Sequence, residues 1–141
     1  MRRSAPLVLV VDDDPRAAEE LARWLLTQGF NAVTAASSLE ARAVLAAMSI
    51  EGLIGHLGLR DGSLFDLART LRAQRPAIVI GYADVEVPTP RELDGCLARP
   101  LDLGALASFL AVRFGRRRSG EHVILGRPRS APQAAPARRL R

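Results

Sequence analysis

The sequence contains no lysine: all 20 of its basic residues are arginine, so every permanent side-chain positive charge is a planar guanidinium and none is a slender ammonium. It has a single cysteine, Cys96, which excludes an internal disulfide framework. Met1-Arg2-Arg3 imitates the start of a secretory signal, but the apolar run that follows is brief and stops at three aspartates. With no secretory segment, the expected compartment is the reducing cytoplasm. No apolar stretch approaches the roughly 20 residues needed to span a bilayer, so no membrane association is expected. Aromatic residues are scarce, 4% of the chain, and none lies beyond Phe114. The arginine-rich end therefore lacks platforms on which bases could stack.

The net charge of +5 is unevenly placed. From Gly115 to the end there are eight arginines against Glu121, a net +7, whereas residues 1–114 carry 12 arginines against 14 acids, a net −2. The basic character belongs to the tail, and the rest is mildly acidic. No internal repeat is visible, and 141 residues are a prior for one domain able to bury its own core. The expected organisation is a globular domain over 1–114 and a disordered Arg/Pro/Ala-rich tail over 115–141. That tail holds one apolar cluster, Val123-Ile-Leu125, too little to offset its ordering entropy. Its functional alternative is a basic arm for nucleic acid or an acidic partner, with contacts to phosphates and no sequence preference. His122 in the tail is expected to be solvated.

The stretch that organises the remainder is Leu7–Pro15, LVLVVDDDP. A short apolar run ended by charge predicts a buried parallel strand. Three carboxylates at its end repel one another and are costly to desolvate, so they require an exposed crevice, a cation or basic partners. Asp14 with Pro15 at the first helical position predicts a helix start; Ala17, Ala18, Leu21 and Leu25 mark its inner face, Trp24 packs at its edge, and Gly29 ends it. A strand over Phe30–Ala35 and a capping-box pattern at Ser37-Ser-Leu-Glu40, opening a helix to about Met48, continue the alternation. Gly52–Leu57 predicts the third strand, Gly58–Gly62 a loop, and Ser63 the cap of a helix closing before Pro76. Ala77–Gly81 predicts a fourth strand, Cys96–Arg99 a fifth, and Asp102–Phe114 a last helix with Leu103, Leu106, Leu110 and Phe114 on its core stripe. Between strands four and five only Pro90–Leu93 looks helical, so the fourth helix is short or missing. The fold class is α/β: a doubly wound, five-stranded parallel sheet in the flavodoxin-like order 2-1-3-4-5, with a crevice at the carboxyl ends of its strands.

The run VLVVDDDP, the third strand followed by LGLRDGSLFDL, the fourth strand after Arg75-Pro76, and Ala98-Arg-Pro-Leu-Asp102 together resemble the receiver domain of bacterial response regulators over about Leu7–Phe114. The resemblance implies a protein of two-component signalling, and not an enzyme in the usual sense. In that family a phosphoryl group moves from a histidine kinase to an aspartate at the end of the third strand. An acidic pair holding Mg²⁺ maps onto Asp12 and Asp13, which makes these the candidate metal ligands. The acceptor position is His56. The family's hydroxyl residue at the end of strand four maps onto Gly81, the small residue after it onto Tyr82, its lysine onto Arg99, and its aromatic switch residue onto Cys96.

The pocket is therefore degenerate, and the expected protein is a non-phosphorylatable pseudo-receiver that needs no cofactor. Its partners would be a histidine kinase, another regulator or a second copy of the chain. Two alternatives stand beside it: a residual phosphoacceptor using His56, or a carboxylate such as Asp13, with Mg²⁺, and tail-mediated binding. Three readings of His56 follow: an imidazolium paired with Asp12 and Asp13, a hydrogen-bonded relic, or a third ligand beside the two carboxylates in a Zn²⁺ or Mn²⁺ site.

Overall fold

An uninterrupted apolar run has no solvent-facing side, and β1 (Leu7–Val11) accordingly lies in the interior, with Val8 to Val11 fully buried. The computed structural model describes residues 5–115 and the pair Arg139–Leu140. The expectations for the rest of the tail, including disorder, the apolar cluster, His122 and binding to nucleic acid or an acidic partner, lie outside the described residues. Around β1 are α1 (Pro15–Thr27), β2 (Asn31–Ala35), α2 (Ser38–Ala47), β3 (Gly52–His56), α3 (Leu64–Gln74), β4 (Ile78–Ala83), β5 (Gly95–Ala98) and α4 (Leu103–Phe114). The five strands are all parallel, in the order β2-β1-β3-β4-β5. This is the expected doubly wound topology. Two-residue antiparallel pairs join Gly58–Leu59 to Gly62–Ser63, and Leu101–Asp102 to Arg139–Leu140.

Strand periodicity divides the core into two layers. Val8, Val10, Ile54, Ile78, Ile80 and Tyr82 face α1 and α4, where they pack with Leu21, Leu25, Leu106 and Leu110. Leu9, Val11, Leu53 and Val79 face α2 and α3, where they meet Leu45, Leu64, Leu67 and Leu71. Trp24 packs, partly buried, against the first layer as expected, and Gly29 follows α1 at φ 90°, a conformation that disfavours side chains. The helix starts are the ones the sequence marks: Asp14 accepts from Arg16 N–H, Ser37 from Glu40 N–H, Ser63 from Asp66 N–H, and Asp102 from Gly104 and Ala105 N–H. Ala17, placed on the inner face of α1, is only partly buried.

No helix forms among residues 84–94, where Pro90 begins a single turn closed by Leu93 N–H on its carbonyl. One turn flanked by Pro88 and Pro90 cannot repay helix nucleation. The crossover is instead tied down from α3: Arg72 bonds the Glu92 carbonyl and, at 2.7 Å, the Asp94 carboxylate, which also accepts from Val79 N–H at 2.8 Å. Leu93, only 6% exposed, fills the space over β4 that a helix would otherwise cover.

Candidate functional site

Asp12, His56 and Tyr82 meet for a geometric reason. Each continues the parity of its strand's first-layer residues (Val8 and Val10, Ile54, Ile78 and Ile80), so all three lie on the α1/α4 side at the carboxyl edge. Asp13 has the opposite parity and turns to the 57–63 loop, where it accepts from Arg60 N–H at 3.0 Å.

Asp12 is the centre of the arrangement. It is 3% exposed, and its Oδ2 accepts at 2.6 Å from the Tyr82 hydroxyl and at 2.6 Å from Arg99 Nη2, while Oδ1 accepts from Asp14 N–H at 2.9 Å. Arg99 reaches this point from the end of β5, where its backbone N–H bonds the Ala83 carbonyl. Its guanidinium lies 5.1 Å from the Tyr82 ring centre, and Nη1 is 3.4 Å from the exposed carboxylate of Asp84. A buried carboxylate with a charged and a neutral donor is fully partnered. The Tyr82 hydroxyl is held far above its ordinary range, by burial first and by the neighbouring Asp12 carboxylate second.

His56 does not pair with Asp12 or Asp13 as expected. Its Nε2 lies 3.7 Å from Asp84 Oδ2, and its ring meets Tyr82 edge to face at 5.7 Å. Nδ1 is 2.9 Å from the Gly58 carbonyl and 3.2 Å from Gly58 N–H, donating to one or accepting from the other according to its protonation. The physical reason is competition: Arg99 already occupies Asp12, and Asp13 points to the other side.

The register also fixes what stands next to His56. Tyr82, and not Gly81, stands directly beside His56, whereas Gly81 pairs with Gly55. A Cβ at Gly81 would face the α3 side, 2.5 Å from Leu57 Cδ2, 2.9 Å from Leu93 Cδ1 and 3.2 Å from Leu64 Cδ2. So the hydroxyl at this edge of the site belongs to Tyr82, and it is committed to Asp12. Cys96 sits beside Gly81, half-buried, its thiol pushed up by burial, with no ring to swing.

Two residues were missed by sequence reasoning. Asp84 bridges His56 and Arg99 from an irregular segment that carries no periodic signal. Asp61 accepts from Ser38 N–H at 2.8 Å and Leu39 N–H at 3.0 Å, capping α2 from the 57–63 loop; these bonds, Ser38's first, hold its carboxyl below the usual range. Only an Asp-Gly turn signal marked that loop.

The residues do not fit the Mg²⁺ that the family implies. Among the described residues no group of three His, Cys, Asp or Glu is placed to hold a metal ion, which also leaves the Zn²⁺ or Mn²⁺ reading of Asp12, Asp13 and His56 without a converging donor set. The cleft beside Tyr82 and Arg99, lined also by Asp14, Ala17, Glu20 and Leu21, has a volume of about 90 Å³. Small-molecule sites run to roughly 300–1,000 Å³. That cleft is smaller than this, and beside it Asp12, Arg99, Asp84 and His56 form a cluster of ion pairs.

Fold, motif order and crevice together define a response-regulator receiver, and the chain belongs to that family. It is 31% identical to a receiver protein from Pseudomonas putida whose crystal structure it covers completely, over 79% of its own length, with a TM-score of 0.68. A CheY-like receiver domain from Methylobacillus flagellatus shares the fold, with a TM-score of 0.69 at 24% identity over 77% of this chain and 98% of that one. Among curated proteins, the photosynthetic apparatus regulatory protein RegA of Rhodovulum sulfidophilum is 28% identical over 112 residues, 74% of this chain. The chain spans 61% of RegA's length. No protein-family model matches the chain. The homology supports a place in two-component signalling.

Proposed function

We propose that this chain is a pseudo-receiver: a signalling module of the two-component type that acts by protein–protein contact and takes no phosphoryl group. The observation that carries the reading is His56 at the acceptor position, beside a Tyr82 hydroxyl already committed to Asp12. Phosphoryl transfer to a receiver needs a carboxylate nucleophile, a cation to neutralise the phosphoryl oxygens and a donor to bind them. Here the nucleophile is an imidazole, the acidic pair is divided between Arg99 and Arg60 N–H, and the hydroxyl faces inward. A phosphoryl group approaching His56 Nε2 would also meet the Asp84 carboxylate, 3.7 Å from that atom. Like charges oppose that approach.

Output then rests on a surface held in one state. The crossover of residues 84–94 borders β5 and presents Val85 and Val87 to solvent. A histidine kinase or another regulator that recognises this segment would find it unchanged by phosphodonors. The test is the intact mass of the protein after incubation with Mg²⁺ and a small acyl-phosphate donor. The expected spectrum shows no added phosphoryl mass, and a stoichiometric adduct would overturn the reading. An acid-labile, base-stable adduct would assign it to His56; a base-labile one would assign it to a carboxylate such as Asp13.

A further inference from the structure

We propose that Arg99 is the resident cation of the crevice: its guanidinium takes the place of a divalent ion at Asp12 and ties the helix-less crossover, through Asp84, to the end of β1. This rests on the same site as the pseudo-receiver reading but concerns how the site is neutralised. The pair Arg99–Asp12 at 2.6 Å uses one nitrogen of the fork, and the contact to Asp84 at 3.4 Å uses the other. Three elements distant in sequence, the ends of β1, β4 and β5, thus converge on one side chain. Tyr82 completes the cage by donating to the same Asp12 oxygen and by placing its ring under the guanidinium.

The arrangement discriminates between kinds of cation. A divalent ion needs several oxygens converging at short range, yet Asp12 Oδ2 is already bonded twice and Oδ1 accepts from Asp14 N–H. To enter, the ion would have to displace Arg99 and then sit beside its positive charge. A lysine at position 99 would also neutralise Asp12, but its donors share one nitrogen and lack the spread fork that meets Asp12 with Nη2 and Asp84 with Nη1. The planar side chain is what allows one residue both to fill the cation position and to clamp the segment after Asp84. That segment has no helix of its own to hold it in place, and its other ties run to Arg72, to Val79 through Asp94, and to His56 through Asp84.

Two measurements test this. Mn²⁺, used as the probe for a divalent site, is titrated into the native protein and free Mn²⁺ is followed by electron paramagnetic resonance. The expected signal is the same with and without protein into the millimolar range; sub-millimolar binding that Mg²⁺ competes away would overturn the proposal. Hydrogen exchange of the Leu93 and Asp94 amides, which donate to the Pro90 and Val79 carbonyls, is then compared across native protein, Arg99→Lys and Arg99→Gln. Exchange is expected to rise about tenfold or more in both variants, as local protection is lost. Protection unchanged in Arg99→Gln, or restored in full by Arg99→Lys, would overturn the clamp. If neither variant folds, the Mn²⁺ titration on the native protein still decides. Failure here is distinct from failure of the pseudo-receiver reading, which is decided by a phosphoryl adduct.

Discussion

The two sides of the crevice contribute different chemistry. On the β1 and β3 side stand the three aspartates, His56 and the Gly58–Gly62 loop, in the order of the receiver resemblance. On the β4 and β5 side Gly81 faces leucines, Tyr82 carries the hydroxyl, Arg99 supplies the charge, and the crossover has no helix. The difference shows which constraint each side obeys. Asp12 is 3% exposed and must be neutralised whatever the protein does, and the opposite side supplies the donors, Tyr82 and Arg99, that do so. The acidic residues are thus accounted for by electrostatics alone, and they are no evidence of phosphoryl chemistry.

The strongest way to break the comparison is Arg99→Ala. It leaves a buried carboxylate with only hydroxyl and amide donors, and a loss of about 2–4 kcal/mol in urea unfolding is expected, below the fully buried case because Arg99 itself is a third exposed. Gly81→Thr, which restores a family-like hydroxyl by sequence, is expected to cost about 1–3 kcal/mol, because its Cβ would lie 2.5 Å from Leu57 Cδ2. An unchanged midpoint would mean that the β4 side is looser than the packing indicates.

Tyr82→Phe is expected to cost about 1–2 kcal/mol through the lost bond to Asp12. Because the folded state holds Tyr82 neutral well above its ordinary range, its contribution is fully present below about pH 10 and is lost as pH rises beyond that, at about 1.4 kcal/mol per unit. Tyr82 is the only tyrosine, so the ultraviolet absorbance of tyrosinate reports this group alone. The native protein is expected to show none while folded, and its alkaline stability loss should be steeper than that of the Phe variant. The smallest effect belongs to the β1 and β3 side. Asp61→Asn should reduce stability slightly at neutral pH and flatten the acid limb, since a carboxyl held below its usual range stabilises above that range and loses its contribution as pH falls through its lowered value.

The fold was legible because local signals agreed with one another: Asp14-Pro15, Ser37, Ser63 and Asp102 each mark a helix start, and the apolar runs mark buried strands. Of the residues expected in the site, Asp12, His56, Tyr82 and Arg99 are brought together, whereas Asp13 and Gly81 face elsewhere and Asp84 was not foreseen, nor were the pairings. An all-apolar strand such as β4 shows no alternation, so sequence alone could not settle whether Gly81 or Tyr82 stands beside His56. The partner of His56 was misplaced because proximity to three aspartates says nothing about which of them another cation already holds. Asp84 and Asp61 act across long sequence separations from irregular segments, where periodicity carries no information.

A double-mutant cycle on Arg99→Gln and Asp12→Asn, read by urea unfolding, addresses the central claim that the crevice neutralises itself. The pair is predicted to couple by about 1.5–3 kcal/mol, the double variant being more stable than the sum of the single losses implies. Losses that add to within about 0.5 kcal/mol would show that Asp12 does not depend on Arg99, and would contradict the account.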